Sequence, residues 1–587
     1  MSTAIRRAAH GVRPAVLGAL LVSLSLAVSS CASLPMSMTA QVPTTGPIQQ
    51  GAQVDVDPED QFIRVIARKP RPGMSPGEVV SGFLDASASF EDDHAVARSY
   101  LTPAASAAWN TNAGVTVYTG LPAVAVQGSA VSFTAPHAGT ISRQGAYTVA
   151  DPGAEVRTTF FLEEVDGEWR ISTLPEGLVL SEADVDRAFR SFNVYFFNPE
   201  YSRLVPDPRM IPVVGPGLAT ALVRRLLAGP NEWLQPAVRT GFPSGVGLNI
   251  DAVPIEAGVA KVDLTVNALD VDDVARVALS KQLIWTLKQL PDIVSVDVTA
   301  AGQPLVVPGV ASPQPRDAWI FADPNAMPLN TRGYATRPEG VVSVGSGATL
   351  DLRPVPGGAG TGEVVLIDIA VADDSGSLAG IDPEGAVWRA RLAEGATMIK
   401  VRDERQAVSV AFDPSGSVWV VEDDQGLVSV SPAAVSREIL VDGLVGRPEL
   451  RAAVPSRDGT RAALVVRRGP RTELLVARIV SSSTSPSGLV LQAPMRVESR
   501  LAEVLDVAWS GADTLAVVGS ESAGSLQVFE VDLARGTVTP RGAPEAPVSI
   551  AAAPGLPTLA GGADGMVYEL GSGRWTERLR GSAPTYP

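Results

Sequence analysis

The sequence predicts a multidomain, strand-rich chain: an α+β unit of helices followed by a sheet, a second α+β unit, then an all-β propeller of six to seven blades. Three observations predict it. A polar, glycine-marked turn followed by a short apolar strand recurs through the C-terminal half, with marker glycines at 376, 416, 459, 511 and 555. Two earlier stretches mix amphipathic helices with alternating strands. A basic and then apolar leader ends at Cys31, the single cysteine of 587 residues.

The leader comes first. Arg6, Arg7 and Arg13 form a basic start, and Ala15 to Leu26 is nearly unbroken apolar sequence closing on small residues before Cys31. This is the grammar of a secretory signal, and the run is too short to span a bilayer, which needs about 20 apolar residues. Val28-Ser29-Ser30-Cys31 resembles a bacterial lipobox. The resemblance implies a signal peptide over 1–30, an S-diacylglyceryl group on Cys31 and N-acylation of its new amino group. The alternative is an ordinary cleaved signal with an incidental cysteine. Residues 31–60, rich in Pro, Gly, Gln, Ser and Thr, read as a lipidated flexible tether. Asp55, Asp57 and Glu59 lack the loop glycine of a calcium site and read as a solvated acidic patch.

Residues 61–185 form the first unit. Ser75-Pro76-Gly77-Glu78 starts a helix carrying Val79, Val80, Phe83 and Leu84 at helical spacing. Helical character continues to Trp109, with His94 on a polar helix face. Strands follow, with His137 in a loop, ending in a hairpin around Asp166-Gly167. Helices before a curved sheet resemble the NTF2-like arrangement, here with an interior filled by Phe and Trp.

Residues 190–305 form the second unit. "FNVYFF" is a strand, "GLATALVRRLLA" a helix stopped by Gly229-Pro230, and "LNIDAVPIEAGVAKVDLTV" two strands around Gly258. A helix capped by Asp272 or Asp273 buries Leu279, Leu283, Ile284, Leu287 and Leu290, and "IVSVDVTAAGQPL" returns as a hairpin.

In residues 315–580 the marker spacings are 40, 43, 52 and 44, and the long one holds the polar insertion Ser481–Gly488. A period near 40–45 with strand signals is that of a β-propeller, four strands per blade. "GGAGTG" (Gly357–Gly362) is a turn between strands.

Composition restricts the function. The formal charge is −16, and loss of residues 1–30 removes three arginines and no acid, leaving −19. Such a surface disfavours nucleic acid and repels anionic lipid. His94 and His137 alone survive leader removal, so no histidine cluster or HExxH site exists. No phosphate loop and no G-x-S-x-G serine is present. No cofactor, metal site or catalytic residue is expected. Asp373-Asp374, Asp423-Asp424, Asp458, Asp513 and Asp564 fall at repeat turns, where Asp bonds its own backbone.

The segments "FNVYFFN", "LVPDPRMIP", "RRLLAGP", "TGFPSGVGLNI", "VAKVDLTV" and "QLIWTLKQLPDIVSVDV" resemble the GerMN domain of germination and envelope lipoproteins. With the lipobox and the propeller, the whole chain resembles the actinobacterial LpqB lipoprotein family. The resemblance implies attachment to the outer face of the cytoplasmic membrane. It also implies contact with the extracellular domain of the sensor histidine kinase MtrB, partner of the regulator MtrA, in envelope homeostasis and division. A propeller enzyme acting on envelope glycans or lactones through channel carboxylates is the alternative. Convergent acids in the channel would favour it; an apolar or filled channel would favour a binding scaffold.

Overall fold

The first helix, Pro76–Ser87, forms where proline occupies the first turn and the Ser75 amide donates to the Glu78 carboxylate at 2.8 Å. The structure is a computed structural model that describes residues 67–587, except 214–216, 348, 404–405, 424–425, 445–448, 499 and 522–523. Cys31, the leader and the acidic patch of the tether lie outside the described residues.

Val79, Val80, Phe83 and Leu84 all face the core of the first unit. Two short helices follow, Ala95–Arg98 and Pro103–Ala108, broken where Thr102 caps the second. The sheet wraps them around the long strand Ala130–Ser142, which pairs with Gly114–Tyr118, Ala123–Gln127, Tyr147–Val149 and Glu155–Val165. Phe83 lies 5.2 Å from Trp109 and 6.0 Å from Phe160, ring centre to ring centre, and these rings fill the interior. Both histidines depart from the sequence reading. His94 is buried in a left-handed turn between Phe90 and Trp109, where desolvation lowers its pKa. His137 sits within Ala130–Ser142, because the strand runs on past Pro136.

The second unit begins with a hairpin, Phe189–Phe197 against Leu204–Pro212. Leu218–Ala228 and Asp273–Leu287 are its helices, the latter capped by Asp272 Oδ1, which accepts from the Ala275 amide at 2.8 Å. The sheet pairs Val259–Leu264 in parallel with Ser295–Ala300 across that helix. Leu279, Leu283, Ile284, Leu287 and Leu290 are buried, as their spacing predicts. Ser280, Gln282 and Thr286 are buried as well. The helix is therefore enclosed, and its polar groups work inward: Gln282 accepts from the Gly241 amide and donates to the Tyr195 carbonyl.

The propeller has six blades. The second to sixth begin with Asp368–Val371, Ala407–Phe412, Glu449–Pro455, Leu501–Trp509 and Pro547–Ala551, and each continues as a four-stranded meander. All five marker glycines fall between the first and second strands of these blades. In the first blade, Gly333–Arg337, Gly340–Val344 and Leu352–Pro354 receive their innermost strand from the chain end, Ser582–Thr585. That pairing, past residue 580, closes the ring. Six apolar clusters fill the six gaps between adjacent blades. The third and fourth blades are also joined through their outer strands, Leu440 opposite Val490. The insertion Ser481–Gly488 lies at the turn between the third and fourth strands of the fourth blade.

Candidate functional site

A propeller's inner strands converge on one axis, so side chains that face inward from different blades meet there. Here the six inner strands enclose a channel cavity of about 150 Å3. Most of its wall is Ala, Val, Ile and Pro. Three carboxylates interrupt that wall: Asp373, just past the inner strand of the second blade, and, within the inner strands, Asp368 on the second blade and Asp506 on the fifth, opposite each other in a ring of six. Asp506 accepts from the Ile550 and Val507 amides, each at 2.8 Å. Asp368 accepts from the Ile369 amide at 2.9 Å. Burial pushes Asp368 up to about 6. Burial, and then repulsion from Asp368, pushes Asp506 up to about 7. Two acids whose fields overlap in a low-dielectric channel resist sharing a second negative charge.

One mouth of the channel is covered. Arg457 donates to the Pro587 carbonyl at 2.6 Å and lies 3.5 Å from Asp373. Arg203 of the second unit reaches the same Asp373 at 3.2 Å. Tyr586 and Pro587 line the cavity beneath.

The turn acids divide into two groups. Asp374, Asp458 and Asp564 accept from backbone amides two residues on, as the repeat predicts. Asp373 and Asp513 instead reach the second unit: Asp513 accepts from Asn193 Nδ2 at 2.8 Å. Asp423 faces Arg451 at 3.9 Å, and Asp424 lies outside the described residues. Trp233 completes this contact. Its Nε1 donates to the Ala493 carbonyl at 2.7 Å, Arg478 donates to its carbonyl at 2.6 Å, and its ring packs on the cores of both units.

The first two units share a hairpin. Phe189 and Met210 lie in the core of the first, Phe196 and Val205 in the core of the second. Between them the buried pair Arg209–Asp207, at 2.6 Å, also donates to the Gln144 carbonyl and accepts from Asn231. The first unit reaches the propeller through Asp186 and Arg535, and through Gly536, where a β-carbon would come within 2.6 Å of Val149 Cγ2.

No repeat or motif pointed to Asp368 or Asp506. The signal was an acid flanked on both sides by apolar residues in the first strand of a blade, "LIDIAV" and "VLDVAW", where a buried strand face is normally apolar. Among the described residues no three His, Cys, Asp or Glu side chains are grouped to hold a metal ion, and no helix is long and apolar enough to cross a membrane.

These features define a class: a multidomain protein in which a propeller is clasped to two α+β units. Three family models match the chain in that order: "Lipoprotein LpqB, N-terminal domain" over 69–186, "Sporulation and spore germination" over 193–306, and "Lipoprotein LpqB beta-propeller domain" over 340–587. Lipoprotein LpqB of Thermobifida fusca is 33% identical, over 96% of this chain and 99% of its own. That of Streptomyces coelicolor is 28% identical over 98% of each chain. Among solved structures, TolB from Acinetobacter baumannii superposes with a TM-score of 0.34 at 13% identity, over 55% of this chain and 86% of its own. The chain belongs to the LpqB family of lipoproteins. It is thus a lipid-anchored protein of the cell envelope.

Proposed function

We propose that this lipoprotein is a noncatalytic modulator, tethered through Cys31 at the extracytoplasmic face of the cell membrane. It binds the extracellular domain of the sensor histidine kinase MtrB and alters its output in envelope homeostasis and division. The observation that carries the noncatalytic reading is the size and cover of the channel. Its volume of about 150 Å3 falls below the roughly 300–1,000 Å3 of ligand pockets, and Arg457 and the chain end close one mouth. Recognition then falls to the outer surfaces of the clasped domains. The kinase partner rests on the family resemblance. The tether of about 30 residues gives a reach of roughly 30 Å as a random coil, compatible with a membrane-proximal partner.

Calorimetry of the soluble chain from residue 62 against the MtrB extracellular domain tests the reading, together with phosphorylation assays in liposomes carrying both full-length proteins. Heat of binding and a changed phosphorylation rate are the expected results; neither would be seen if the proposal is wrong. Asp368 and Asp506 favour a second reading, a channel hydrolase of envelope glycans or lactones. Turnover of such a substrate, abolished by Asp506→Asn, would establish it.

A further inference from the structure

The first domain carries an edge strand that its own chain leaves bare. Ala123–Gln127 pairs on one side with Ala130–Thr134, and among the described residues no strand pairs with its other side. All five of its residues are exposed. Val124 and Val126, at 39% and 50%, stand opposite the buried Phe133 and Val131, and Leu121 just before them is 95% exposed. The first turn of the helix Pro76–Ser87 touches Val126 without covering it: a β-carbon at Gly77 would come 3.2 Å from its Cγ2. An open edge offers N–H and C=O groups to a second strand, and proteins ordinarily blunt such edges with charged side chains, proline or bulges. Here Pro122 stands only before the strand, and residues 99–142 contain no Asp, Glu, Lys or Arg in a chain that is 19% charged. On the far side of Ala130–Thr134, Glu155 and Arg157 pair with each other at 2.6 Å.

Charge and register select the occupant. With a net charge of −16, an ordinary face of this chain repels a second copy. A charged edge would choose a partner of opposite sign; an uncharged edge fits an uncharged strand, and a second copy presents one. The register is self-complementary as well. The two-residue turn Gly128-Ser129 makes Gln127–Ala130 a hydrogen-bonded pair. Ala125 and Ala123 therefore also turn their backbone groups toward Ala130–Thr134, while Val124 and Val126 turn theirs to the open edge. An antiparallel pair of copies with its two-fold axis on Ala125 sets Val124 of each opposite Val126 of the other, and joins those outward-pointing groups.

We propose that this edge is a self-association site, through which two copies join their first domains by Ala123–Gln127, antiparallel about Ala125, into one continuous sheet. The lipid anchor favours it, because copies held at one membrane surface meet at a raised effective concentration. The proposal does not depend on the kinase reading.

Sedimentation of the soluble chain from residue 62 tests it. A reversible dimer with a dissociation constant below about 200 µM is expected. Ala125→Lys sets two ammonium groups against each other across the axis. It should weaken the dimer at least tenfold with the melting temperature unchanged, because this side chain is exposed. Cysteine reads the position directly, since the soluble chain has none of its own. Ala125→Cys places two thiols in a pair whose Cα atoms are about 4.5 Å apart, within reach of a disulfide. Ala123→Cys sets its two thiols about 13 Å apart along the strands. Under mild oxidation the first variant should cross-link at least tenfold faster than the second. If Ala125→Lys melts lower, this comparison decides the matter alone. A chain that stays monomeric at about 200 µM, a dimer untouched by Ala125→Lys, or equal cross-linking at the two positions would each overturn the proposal and leave the edge to a strand of a different protein.

Discussion

Asp506→Asn should stabilise the propeller at alkaline pH and destabilise it at acid pH. In the folded channel Asp506 titrates at about 7 against an ordinary value of 3.8, chiefly because it is buried and then because Asp368 faces it. Its folded value is raised, so the fold favours the protonated acid. The contribution to stability is complete below the unfolded value and is lost as pH rises through about 7. Three units at 1.36 kcal/mol each give about 4 kcal/mol of penalty at pH 8. Asparagine carries no charge and escapes it. It keeps one acceptor where the carboxylate used two, one oxygen for the Val507 amide and one for Ile550, which costs about 1–3 kcal/mol at every pH. The net expectation is a gain of about 1–3 kcal/mol at pH 8, a loss of similar size near pH 4, and a swing of about 4 kcal/mol between them. The assay is calorimetric melting of the soluble chain from residue 62, wild type and variant, across that range. A difference between the two proteins that stays constant with pH would refute the assignment of a charged, buried carboxylate to the channel.

Three further outcomes follow from the same geometry. Removal of residues 582–587 takes the inner strand from the first blade and the Pro587 cover from Arg457, and should abolish cooperative melting of the propeller while leaving the melting of the first domain. Trp233→Ala empties a side chain that packs on two cores and donates to Ala493. Because Trp233 is only half-buried, the substitution should cost less than that of a core tryptophan, about 2 kcal/mol, and speed cleavage by protease in the segment joining the second domain to the propeller, read by mass spectrometry of the fragments. Cys31→Ser should leave the melting of residues 67–587 unchanged and abolish acylation, checked by intact mass of the protein extracted from membranes; an acylated serine variant, or a wild type without acyl mass, would remove Cys31 as the anchor.

Local chemistry made much of this protein legible before any coordinates. The helix at Asp273–Leu287 announces its cap and its apolar stripe within fifteen residues, and the blade repeat announces itself because each blade must make the same turn after its inner strand. Glycine or Asp at that turn is a local requirement, written into local sequence. What the sequence could not decide is what lies across space. His94 reads as polar until Phe90 and Trp109 close over it. Asp373 and Asp513 read as turn residues until Arg203 and Asn193, some 170 and 320 positions away, reach them. Asp368 and Asp506, 138 positions apart, lie in strands whose local sequence gives no sign that they meet. Only closure of the ring, through a last strand pairing with the first blade, sets them opposite each other in a channel where desolvation raises both their pKa values. Burial and proximity belong to the assembled fold, and they turn two ordinary carboxylates into a coupled, proton-sensitive pair.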